Sequence, residues 1–116
     1  MEIGKIFKAD EEKFPDAKHL IVYLGNSETR AGYYKGLMLT HDKRKENIPM
    51  EKEHFSDDFN FNGTHVVGIG LLKPQEWELH EHKGNLSEKG LEFVYANVKN
   101  INEPENTWNE LVPTSI

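Results

Sequence analysis

Cysteine is absent from all 116 residues. No disulfide framework holds this chain together, and thiolate nucleophiles and cysteine-based metal sites are excluded. Arginine is scarce, with Arg30 and Arg44 alone, and positive charge is in the minority: 14 Lys and Arg stand against 20 Asp and Glu, a net charge of −6. A general nucleic-acid binder carries a basic excess, because phosphate neutralisation supplies most of its affinity. Binding over the whole surface is therefore excluded, and a nucleic acid would have to be met in a local basic cleft. Long apolar runs are missing too, since nothing approaches the roughly 18 residues of a membrane span. The opening "MEIGKIFKADEEKF" has neither the basic segment nor the apolar stretch of a secretory signal. A cytoplasmic protein without membrane contact is the expectation. Hydrophobic residues make up 36% and aromatics 10%, which is lean but above the composition of a disordered chain.

What is present reads mainly as short strands. Ile3–Lys8 forms a first strand, and "ADEEKFPDA" a charged loop broken at Pro15. His19–Leu24 and Tyr33–Thr40 are apolar runs rich in β-branched and aromatic residues, separated by the turn-forming "GNSETRAG". Residues 47–55 suit a short edge strand, because Pro49 cannot donate to a central ladder. "SDDFNFNG" is turn-like, and its alternating Phe59 and Phe61 are candidates for a protein contact. His65–Leu72 reads as a further strand, in which Gly68 and Gly70 imply close packing or a bend. "ELHEHKG" is the last short strand. A helix starts near Asn85–Ser87, both good N-caps, and carries Leu91, Val94, Tyr95, Val98 and Ile101 on one apolar face. The fold class is thus α+β: a small curled antiparallel sheet or barrel of five or six strands with one C-terminal helix. Residues 1–101 form a single domain, and 102–116 a polar tail that Trp108 could dock.

One constellation stands out at the strand ends. If the strands from His19 and Tyr33 pair antiparallel, the start of the first lies beside the end of the second. Lys18 and His19 then sit near Thr40 and His41. The plain reading of the same residues is a strand running into a turn at Asp42. "HEH" places His80 and His82 on one strand face, but no third ligand is identifiable from spacing, so no metal and no cofactor is expected.

The ordered set "GKIF", "KHLIVYL", "GLMLTH", "THVVGIGLLKPQEW" and "HKGNLSEKGLEFVYANV" resembles the PemK/MazF-like family, small barrel ribonuclease toxins of toxin–antitoxin pairs, over about residues 3–99. The resemblance implies a Src-homology-3-like barrel, a cytoplasmic homodimer, RNA as substrate and an antitoxin or other protein partner. It also implies metal-independent cleavage of single-stranded RNA by a cation before one strand and a hydroxyl ending the next. Thr40 matches the hydroxyl. The family's Arg-Pro pair is replaced by Lys18-His19, and lysine brings a point charge where arginine brings a bidentate fork. Such cleavage needs a base for the 2′-OH, charge on the phosphorane and an acid for the leaving oxygen. The implied catalytic set is Lys18, His19, Thr40 and His41, with Lys43, Arg44 and Lys45 following the RNA backbone. The competing function is a catalytically inactive barrel acting as a protein-binding, regulatory or inhibitory module, which the missing arginine and the acidic "EKEHFSDDFNF" favour.

Overall fold

A computed structural model describes residues 3–11, 14–44, 46–74 and 79–104. The elements are β1 (Lys5–Glu11), β2 (Phe14–Asn26), β3 (Tyr33–Thr40), β4 (Asn47–Pro49), a single 3-10 turn (Lys52–His54), β5 (His65–Val67), β6 (Leu71–Pro74), β7 (Leu79–Asn85) and α1 (Glu88–Asn97). All seven strands join one antiparallel sheet in the order β4-β5-β3-β2-β1-β7, with β6 pairing β3 beside β5. The chain is mainly β with one helix near the C-terminus, as its sequence implies.

The period-2 pattern of the central strands decides which side each residue faces. From β2 and β3, Val22, Leu24, Leu37 and Leu39 enter one cluster with Ile6, Met50, Phe55, Val66 and Val94. Their alternates Ile21, Tyr23, Tyr34 and Met38 form a second cluster with Leu71. Both faces of β2 and β3 are therefore buried, which explains why these two strands read as continuous apolar runs rather than as alternation.

Several boundaries differ from the sequence reading. The charged stretch expected as a loop is mostly strand, because β1 runs to Glu11 and β2 begins at Phe14 with Glu11 paired to Phe14. Pro15 is tolerated there because the β2–β3 ladder reaches no further than Leu20, so this part of β2 is paired on one side. The expected strand His65–Leu72 is two strands. Between them Ile69 bridges Lys99, and Gly70 N–H donates to the Lys99 carbonyl at 2.8 Å. A Cβ on Gly70 would lie 2.7 Å from the Asn100 carbonyl oxygen, so the chain after α1 can enter only where this side chain is missing. α1 ends at Asn97, so Val98 and Ile101 reach the core from the segment that follows the helix. Tyr95, expected on the apolar face, is 41% exposed. Trp77 and Trp108, with most of the tail, lie outside the described residues.

The sheet does not close into a barrel: among the described residues no ladder joins β4 to β7. Among the described residues seven strands form it, where the sequence pattern leads to five or six. The chain leaving β4 crosses the gap instead. Met50 N–H donates to the Thr64 carbonyl, Phe55 bridges Leu86, and Ser56 N–H donates to the Asn85 carbonyl at 2.8 Å. This crossing segment and α1 together cover the sheet face that carries Ile6, Val22, Leu24, Leu37 and Leu39.

Candidate functional site

A cleft of about 590 Å³ opens at the rim where β1, β2, β3 and β7 meet the segment after the 3-10 turn. Its floor is apolar, made by Leu20, Leu39 and Phe59. Thr40 and His41 line it from the end of β3, and Lys8 and Lys83 from β1 and β7. Asp58, Asn60, Asn62 and Thr64 form the remaining wall. The described lining thus carries two ammonium groups against one carboxylate, a local positive balance on a chain that is acidic overall.

Each lining group is placed by an identifiable local cause. Strand alternation puts Lys8 on the same side of β1 as the fully buried Ile6, so the lysine points inward just where the core ends. His41 continues the inward series Leu37, Leu39 by the same period. Thr40 is held by the turn it starts: its Oγ1 accepts the Asp42 N–H at 3.0 Å. Asp42 in turn accepts the Arg44 N–H at 3.0 Å and pairs with Arg44 Nε at 2.7 Å, while Asn47 Nδ2 donates to the Asp42 carbonyl. "THDKR" is therefore a self-bonded turn as well as a cleft rim. The Thr40 hydroxyl hydrogen keeps no acceptor among the described residues.

The opposite wall is pinned from beneath. Phe55 stacks on Phe59 with ring centroids 4.4 Å apart and meets Phe61 at 5.6 Å. Phe59 N–H donates to the Ser56 carbonyl, Ser56 Oγ donates to Asp58 Oδ1, and Asn85 N–H donates to Ser56 Oγ at 2.9 Å. The alternation "DFNFN" then puts the phenylalanines in the core and leaves the two asparagines exposed. This corrects the expectation that Phe59 and Phe61 form a protein contact: Phe59 is 8% exposed and Phe61 packs on the core.

The residues expected from sequence fall into three groups. Thr40 and His41 share the cleft. Lys18 and His19 pair through their backbones with Asp10 and Ala9, and His19 lies one residue beyond the last β2–β3 pair, Leu20 with Leu39, as Thr40 does in β3. The side chains of Lys18 and His19 lie outside what is described. Lys43 and Arg44 are exposed and do not line the cleft, and Arg44 is engaged by Asp42. Lys45 lies outside the described residues. Among the described residues no group of three or more His, Asp or Glu side chains is placed to hold a metal ion, and His82 instead rests its ring against Phe7 at 5.5 Å.

Sequence reasoning missed Lys8, Lys83, Asp58, Asn60, Asn62 and Thr64. A signal existed for Lys8, a lysine two residues after a core isoleucine on a short strand. Lys83 and the asparagine wall come into place only through β1–β7 pairing and the crossing segment. Compared with known proteins, the chain matches no family model, no curated protein and no solved structure. No described helix is long and apolar enough to cross a membrane.

Proposed function

We propose that this protein is a toxin-type endoribonuclease of the PemK/MazF kind, cleaving single-stranded RNA without a metal. The observation that carries this reading is the shared cleft: Thr40 and His41, at the end of the strand that the resemblance singles out, line one apolar-floored space together with Lys8 and Lys83. Scission proceeds by attack of a ribose 2′-oxygen on the adjacent phosphorus. The 2′-OH proton passes to an imidazole, the P–O5′ bond breaks, and the leaving 5′-oxygen takes up a proton, so that a cyclic 2′,3′-phosphate and a 5′-OH result. His41 is the base in this scheme, and His19 supplies the returning proton. The Thr40 hydroxyl donates to a non-bridging oxygen, and Lys8 and Lys83, with Lys18, meet the charge that develops on the phosphorane. A homodimer restrained by an antitoxin protein follows from the same resemblance.

The test is direct. Purified protein is incubated with labelled single-stranded RNA in EDTA, beside Thr40→Ala, His41→Ala and Lys18→Ala. Cleavage by the parent protein, reduced on the order of 100-fold or more by the His41 change, is the expected result for loss of a general base. Intact RNA under every condition overturns the reading.

A further inference from the structure

The motif "DDFNFNG" plays no part in the cleavage scheme, yet it supplies one whole wall of the cleft. Asp58, Asn60 and Asn62 all line the space that Thr40 and His41 line. They sit on a turn whose alternate residues, Phe59 and Phe61, are anchored against Phe55. The wall is therefore preorganised: its polar groups are exposed, but the backbone beneath them is tied to the core and to β7 through Ser56. A binding group held in this way loses little freedom when a ligand arrives.

The chemistry of the wall is selective in a specific sense. A carboxylate accepts hydrogen bonds and cannot donate them, and a carboxamide both donates and accepts. Adenine, cytosine and guanine each carry an exocyclic amine that can donate to a carboxylate; uracil carries carbonyl oxygens at those places. In a single strand these base edges are open to side chains. A uracil set against Asp58 offers only its N3–H, flanked on both sides by carbonyl oxygens that face the carboxylate oxygen to oxygen, so the carboxylate loses its solvent for a poorer partner than an exocyclic amine. The lysine wall, by contrast, supplies charge for the phosphates, which every nucleotide shares and which carry no sequence information. A cleft of about 590 Å³ falls within the usual size of a small-molecule site, so one nucleotide and its flanking phosphates fit.

We propose that the cleft is divided by role: Lys8 and Lys83 hold the RNA backbone, while Asp58, Asn60 and Asn62 read one unpaired base and select those bearing an exocyclic amine over uracil. This rests on the ribonuclease reading above and adds to it a substrate preference.

The experiment measures binding of fluorescently labelled A8, C8 and U8 oligoribonucleotides by anisotropy, in EDTA and low salt, to the full chain with His41→Ala in place to prevent cleavage. The expected result is tenfold or weaker binding of U8 relative to A8 and C8. Asp58→Asn, and separately Asn60→Ala with Asn62→Ala, should shrink that ratio toward one. Lys8→Ala and Lys83→Ala should weaken all three oligonucleotides by a similar factor and leave the ratio in place. Circular dichroism and urea midpoints establish that each variant is folded, and the wall residues are exposed enough that truncation leaves the core intact. Equal binding of the three oligonucleotides by the parent, or a preference that survives both wall variants, overturns the base-reading role while the ribonuclease reading stands. Absence of binding to all three removes both.

Discussion

Tyr34 is held with its ring among Ile21, Tyr23, Met38 and Leu71, and its hydroxyl has no hydrogen-bond partner among the described residues. Burial, and to a lesser degree the neighbouring Tyr23, pushes its ionisation well above the ordinary tyrosine range. The native state therefore keeps the phenolic proton to higher pH than the unfolded chain does. By linkage, this contribution to stability is complete below about pH 10 and is lost as the pH climbs from there toward the raised native value. Tyr34→Phe removes both the orphaned hydroxyl and its titration. We expect stability at neutral pH to be unchanged or higher by about 1 kcal/mol, since no bond is broken and a desolvated polar group is removed. Urea midpoints above about pH 10 should also fall less steeply than in the parent. A clear loss of stability at neutral pH would mean that the hydroxyl has a partner. Sequence could mark Tyr34 as a core residue, but not that its oxygen is stranded, because that depends on what the other strands bring to it.

At the scale of elements, α1 was the most legible. Ser87 caps it by accepting the Gly90 N–H at 3.1 Å, and it also donates to the Glu53 carbonyl at 2.6 Å, tying the helix to the 3-10 turn. Ser87→Ala should cost about 2 kcal/mol, the upper end for an N-cap, because a tertiary bond goes with the local one. The urea midpoint reads this out, and a loss under a few tenths would deny Ser87 both roles. Gly90 shows what helix propensity cannot foresee. Substituting alanine for glycine in a helix ordinarily gains about 1 kcal/mol. Here a Cβ would overlap the His54 carbonyl. His54 has little room to yield, since its Nδ1 accepts the Glu51 N–H at 2.9 Å and its ring stacks on Phe93 at 4.3 Å. Gly90→Ala should therefore destabilise by roughly 1–3 kcal/mol, the usual range for overpacking. A gain in thermal midpoint would show that α1 can shift off the turn. The end of the helix departs from the sequence pattern for a related reason: Val98 and Ile101 keep an apolar spacing that suits a longer helix, while the backbone at Lys99 is taken up by Gly68 and Gly70.

For the molecule as a whole, the charge balance and the cleft pull in opposite directions. A net charge of −6 repels RNA at long range, so binding must come from the few cations of one cleft. With Lys8 and Lys83 as the two described ammonium groups of the lining, and ~0.7 per neutralised phosphate on a single strand, the slope of log affinity against log salt should be about −1.4. A slope several times steeper would move the RNA onto another basic surface, such as the exposed Lys43. A slope near zero would deny phosphate contacts altogether. Anisotropy titrations across a salt series measure it.

By itself the sequence determined the strand-rich class, the helix and its cap, the two buried central strands and the candidate pair at the end of β3. These follow from short apolar runs, from a period of 3.6 and from turn chemistry, which act over a few residues. Only the tertiary structure decided that the sheet stays open, that His65–Leu72 splits around the chain after α1, and that Phe59 and Phe61 belong to the core. It also decided that Lys8 from β1 and Lys83 from β7 share a cleft with Thr40. Those outcomes depend on which strands become neighbours and on how closely two backbones approach. No local pattern in the chain encodes the pairing of residues 75 positions apart, as Phe7 and His82 are in the β1–β7 ladder.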